Sequence, residues 1–132
     1  MIDLSDVMKV LGEVIIAADA FPRILWPNRA ELIERPFLAL ELRPGIIRDQ
    51  TIGMDGPVWN GDLIATAVIP VDTYETDARS DLAAVAALFP AGSRLTLASG
   101  VALLVSGHPR QLPGYRDGSD YRLQLSVPLQ SD

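Results

Sequence analysis

His108 is the only histidine in the chain, and cysteine is absent. One imidazole without a thiol cannot build a paired-histidine or cysteine-ligated metal centre, and a serine nucleophile elsewhere would lack an evident base. The residue lies in Ser106-Gly107-His108-Pro109, a loop-like stretch in which a solvated or satisfied imidazole is the simpler reading. Asp77 and Asp81 would share a helix face, where two carboxylates can hold Mg²⁺. The same acids suit the first turn of a helix, beside the positive end of its dipole, and that explanation suffices. Gly92-Ser93-Arg94 and Ser106-Gly107 do not form a Gly-x-Ser-x-Gly elbow. Gly53-Met54-Asp55-Gly56 lacks the lysine and the spacing of a phosphate loop. Trp26 and Trp59 stand outside any basic, aromatic-rich patch, so core or interface packing explains them better than base stacking. The expectation is a protein with no catalytic set, no metal site and no cofactor.

What the residue types do offer is contact surface. Between two strand-like runs lies the segment Arg43 to Asp62, which contains Gly45, Gly53, Gly56, Gly61, Pro44 and Pro57. A connection that long inside a compact domain is usually either functional or disordered. Apolar residues flanked by arginine are typical of protein contacts. The candidate interface residues are therefore Arg43, Ile47, Arg48, Gln50, Ile52, Met54, Val58 and Trp59. Arg48 to Ile52 running against Val58 to Asn60 would carry the hairpin beyond the sheet as an arm; the alternative is a turn with no partner.

These residues must be held by a fold, and 132 residues suffice for one domain, spanning 1–132, with one core. Seventeen acids against eleven bases give a net charge of −6, which argues against a broad nonspecific DNA-binding face. Ten of the eleven bases are arginine, a bias that bidentate contacts or simply a G+C-rich genome would produce. No apolar run reaches the roughly 20 residues of a spanning helix. The opening Met1-Ile2-Asp3-Leu4-Ser5-Asp6 is acidic rather than signal-like, so a soluble, cytoplasmic protein is expected.

Leu4, Val7, Met8, Leu11, Val14, Ile15 and Ala18 keep helical spacing, with Asp3 or Ser5 as cap, Gly12 on the polar side and an end before Pro22. Ile24-Leu25-Trp26 reads as a short strand. In Phe37 to Leu42 the leucines alternate as in a half-buried strand, whereas Leu63 to Val71 is apolar on both faces, as in a central one. The two should pair as a long hairpin. Thr76 or Asp77 can cap a second helix that buries Leu82, Val85, Ala86, Leu88 and Phe89 and stops at Pro90. Leu95 to Val105 reads as a hairpin about Ser99-Gly100, and Asp117-Gly118 marks another turn. Tyr121 to Pro128 alternates as a last strand. The reading is α+β: a single, mostly antiparallel sheet of four to six strands with two helices packed on one face. Leu38, Leu40, Leu42, Val68, Leu103, Leu123, Leu125, Leu11, Leu82 and Val85 should fill the core.

Pro36-Phe37-Leu38-Ala39-Leu40-Glu41-Leu42, then Arg48 to Gly53, then Asp81 to Pro90 with Gly92-Ser93-Arg94-Leu95, then Tyr121 to Pro128 follow the order of motifs in the tail terminators of long-tailed phages. From about Phe21 to Pro128 the chain resembles that family, departing from it at Met54 to Trp59, which is unusually apolar. The resemblance implies a structural virion protein, assembled in the host cytoplasm, that forms a hexameric ring on the head-proximal end of the tail tube. Such a ring ends tube polymerisation and forms part of the head-tail junction. Its implied partners are further copies of itself, the tail tube protein and a head-completion or connector protein, with DNA only passing through the lumen and no membrane. Another neck component, an adaptor or stopper, would share this size and charge; a small enzyme or ligand-binding domain is the other rival. Phage, gene-transfer particle and contractile relative stay open.

Overall fold

The computed structural model describes residues 4–19, 24–25, 35–44, 48–49, 57–71 and 75–131. In chain order they form α1 (Leu4–Ala18), β1 (Ile24–Leu25), β2 (Phe37–Pro44), β3 (Arg48–Asp49), β4 (Pro57–Val58), β5 (Asn60–Pro70), α2 (Glu75–Ala87), β6 (Arg94–Thr96), β7 (Ala102–Val105), β8 (Arg110–Gln111), β9 (Tyr115–Asp117) and β10 (Asp120–Ser131).

The α1 helix buries Val7, Leu11 and Ile15, with Met8, Val10 and Val14 packed beside them, the stripe that helical periodicity requires. It ends as expected before Pro22, at Asp19 with φ of 52°. The expected cap Asp3 and the strand residue Trp26 lie outside the described residues. Gly12 is buried, not on the polar side. A residue without a side chain gives hydrophobic periodicity no signal, so its face could not be read from the pattern. The α2 helix begins at Glu75, ahead of the expected caps, and buries Ala78, Leu82, Val85 and, just past its end, Phe89.

The large sheet runs β1-β2-β5-β10-β7-β6, with β8 and β9 also pairing along β10. Seven of its strands are joined by antiparallel pairs, and the two-residue β1 adds parallel to β2. The α+β class and the long hairpin of β2 with β5 are as read, but the strands outnumber the four to six expected, and β3 with β4 forms a separate two-stranded sheet. The extra strands are β8 and β9: Arg110-Gln111 and Tyr115-Arg116-Asp117 are too short and too polar to show alternation.

Register decides the faces. Leu38, Leu40 and Leu42 stand opposite Ala67, Ala65 and Leu63, which in turn stand opposite Leu123, Leu125 and Val127. Opposed residues share a face. That face joins the buried side chains of α1 and α2 in one core, with Leu103, Val105 and Leu129. Each such leucine contributes roughly 1.5 to 3 kcal/mol. Val68 is buried but on the other side of the sheet, opposite Phe37 and Arg122, together with Ile64 and Thr66. Because Leu63 to Ile69 is buried without a break, alternation could not assign Val68 a face.

The last strand does not stop near Pro128 but continues to Ser131. Proline has no N–H to give a ladder. Here its carbonyl accepts from Ser106 N at 3.0 Å, on the side where β7 has ended at Val105 and β8 has yet to begin at Arg110. The missing donor thus falls just past the end of the β7–β10 ladder, where one bond is lost, and β10 continues paired with β7 to Ser131. At the opposite end of β10, Gly118 takes φ of 62° in the turn from β9. There Arg35 pairs with Asp120, and Arg122 Nε donates to Asp117 Oδ2 at 3.0 Å. Partly exposed pairs of this kind contribute at most about 1 kcal/mol each.

Candidate assembly interface

The candidate contact residues lie between and at the ends of β2 and β5. Its ladder ends with Arg43 opposite Asp62 and Pro44 opposite Gly61. Beyond it, Arg48 stands opposite Val58 and Asp49 opposite Pro57. Among the described residues the Arg48 and Val58 backbones are therefore paired, within the stretch where the arm reading expects pairing. Asn60 belongs to β5. Ile47, Gln50, Ile52 and Met54 lie outside the described residues.

Arg43 is exposed, with Nε 3.8 Å from Glu41 Oε1, a weak contact between two well-hydrated side chains. Trp59 is different. Its side chain is only 5% exposed and belongs to the core, so the ring is no contact surface in the folded chain. Trp59 N–H donates to Ser131 Oγ at 2.9 Å, and Ser131 N–H donates to the Trp59 carbonyl at 2.8 Å. A β-carbon at Gly61 would lie 2.7 Å from Trp59 Cζ2 and 2.6 Å from the Arg43 carbonyl oxygen. Glycine is thus required beneath the indole. Gly61→Ala should cost about 1 to 3 kcal/mol through overpacking, read as a lower denaturation midpoint; an unchanged midpoint would show that the ring and the β2 backbone give way freely.

Sequence reasoning brought Arg43, Arg48, Val58 and Trp59 onto one hairpin, and the structure keeps them there. It missed Gly61 as a packing position and Ser131 altogether. A glycine beside a tryptophan at a strand end was the one available signal for the first; Ser131 had none. His108 is exposed on the loop between β7 and β8, and Asp77 and Asp81 are exposed on α2. Among the described residues, no group of three histidine, aspartate or glutamate side chains is placed to hold a metal ion, and no helix is long and apolar enough to cross a membrane.

Comparison with known proteins adds the following. A family model described as phage tail terminator protein matches residues 6–129. A solved structure of a protein with no functional description is 17% identical over 98% of this chain and 92% of its own, with a TM-score of 0.75. At that identity the likeness shows a shared fold. No curated protein matches the chain with significance.

Proposed function

The chain belongs to the phage tail terminator family, a family of structural tail components, and from that membership we propose that it caps the head-proximal end of the tail tube as a closed ring, ends tube polymerisation and forms part of the head-tail junction. The observation that carries the reading is the family match from residue 6 to residue 129, which leaves almost nothing of the chain outside it. The mechanism is edge capping. A ring that reuses the tube's stacking contacts on one face and presents different chemistry on the other blocks the next tube subunit without a covalent step. Hexameric symmetry would match what the family resemblance implies. The net charge of −6 suits a lumen through which DNA passes, since an acidic wall does not hold phosphates.

Self-association is assigned to the arm and the sheet edges, because Arg43 stands exposed at the arm's root and β3 pairs with β4 apart from the large sheet. Adding the folded protein to growing tail tubes in vitro tests the function. Tube ends should be occupied and elongation should stop at about one ring per tube. Tubes that lengthen unchecked, with the ring binding only a portal-side adaptor, would transfer the protein to the connector class.

A further inference from the structure

We propose that Asn60-Gly61 is a modification site gated by the fold, closed to deamidation while β5 is paired with β10 and open to it when that end of the sheet comes apart. The chain has two asparagines, Asn28 followed by Arg29 and Asn60 followed by Gly61. Glycine leaves its own nitrogen unshielded by a β-carbon and frees the backbone to turn, which makes asparagine-glycine the reactive pair. In the reaction the Gly61 nitrogen bonds to Asn60 Cγ and gives up its proton, while the Cγ–Nδ2 bond breaks and ammonia leaves with that proton. Water then opens the resulting ring at either carbonyl, leaving aspartate or isoaspartate at position 60. Water is the one other reagent.

The sheet withholds the attacking nitrogen. Ser131 N–H donates to the Trp59 carbonyl at 2.8 Å, just outside the Asn60–Gln130 pair, and at the far end of the ladder Val71 N–H donates to the Ser119 carbonyl at 3.1 Å, just outside the Pro70–Asp120 pair. In an antiparallel ladder such bonds flank non-hydrogen-bonded pairs, and the two kinds of pair alternate, so Gly61 and Leu129 exchange both their N–H···O bonds. Both ends of the ladder give the same phase. The Gly61 N–H thus lies in the sheet, aimed at β10, whereas the half-buried Asn60 side chain stands off the sheet on the face opposite the core. Gly61 cannot swing toward it, because β2 pairs on its other side and the Trp59 indole and the Arg43 carbonyl leave no room even for a β-carbon. Isoaspartate would put an extra methylene into the main chain of β5 and a new charge two residues from Asp62. A chain marked in this way cannot regain its register, so the modification records that this end of the sheet has opened.

Peptide mass mapping of the full chain, incubated in mildly alkaline buffer with and without denaturing urea, reads the reaction at residue 60 as the mass gained when water replaces ammonia. Hydrogen exchange of the Gly61 amide reads the gate. In denaturing urea Asn60 should convert well ahead of Asn28; in native buffer its conversion should be at least about a hundredfold slower, because it waits for local opening. Raising urea below the unfolding transition should speed exchange at Gly61 and conversion at Asn60 by the same factor. Conversion in native buffer within a few-fold of that in urea overturns the gate. Fast exchange at Gly61 in native buffer while Asn60 stays unmodified also overturns it, since the protection would then not come from the ladder. An Asn60 that survives unfolding as long as Asn28 does overturns the site itself.

Discussion

Leu125→Ala should destabilise the fold by about 2 to 5 kcal/mol, toward the upper part of that range. Leu125 is fully buried on β10, with Ala65 opposite it on β5, Gln111 opposite it on β8, and Leu40 beyond Ala65 in the same row. The cost of such a truncation depends on how far the surroundings can collapse into the space left. Ala65 is too small to fill it. Gln111 is tied by its own hydrogen bonds, donating from Nε2 to the Arg79 carbonyl at 3.2 Å and accepting from Arg79 Nη1 at 3.4 Å. The cavity should therefore persist. Urea denaturation with an unchanged slope would report the loss as a shifted midpoint. Ser126→Ala, one residue along and on the other face, serves as the reference, with an effect within about 0.5 kcal/mol. Equal midpoints for the two variants would sink the assignment of the core face.

That face was largely readable because its strands carry an unambiguous period. Leu38, Leu40 and Leu42 alternate with Phe37, Ala39 and Glu41, and Leu123, Leu125 and Val127 alternate with polar partners. Both helices were readable for the same reason, through stripes at i, i+3 and i+4 whose middle residues, Val7, Leu11 and Ile15 on α1 and Leu82, Val85 and Phe89 at α2, reach the core, whereas Ala18 at the end of the α1 stripe is exposed. Legibility failed where the physics gives one residue two possible settings. Val68 lies in a run buried on both sides, so only pairing with Phe37 and Arg122 reveals its face. Pro128 would end a strand whose neighbour needed its N–H, and it is tolerated because β7 stops at Val105, so only the bond just past the end of the β7–β10 ladder is lost while the Pro128 carbonyl still accepts from Ser106.

The candidate site divides along the same line. Turn-forming residues and length marked Arg43 to Asp62 as an arm, and the Arg48 to Val58 pairing lies within it. An apolar tryptophan in such a segment, however, can serve the partner or the core. The choice was made by tertiary packing: the ring is buried in the core, and Ser131, far away in sequence, bonds the Trp59 backbone. Contact surface and the support beneath it use the same residue types, so only tertiary placement separates Arg43 from Trp59.

Particles assembled without this protein should carry tails of abnormal length or tails that fail to join heads. Tail-tube growth by stacking has no chemical end point; each added ring presents the same surface as the last, so the process stops only when a different surface covers the growing end. A terminator supplies that surface, and the match over residues 6–129 places the chain in the family so described. On the proposed function, loss of the protein would remove both the stop and the platform for the head, so the defect should be close to complete rather than graded. Electron microscopy of the particles gives the tail-length distribution directly. A second strain, with Arg43→Glu in place of the deletion, refines the assignment. Arg43 is exposed and, among the described residues, its ion pair is the weak one with Glu41, so reversing its charge should leave the fold intact while repelling a partner surface. Broadened tail lengths in that strain would tie capping to the arm's root. Tails of normal length that merely fail to join heads, in the strain lacking the protein, would show that tube growth is stopped elsewhere and would leave the connector reading as the better account.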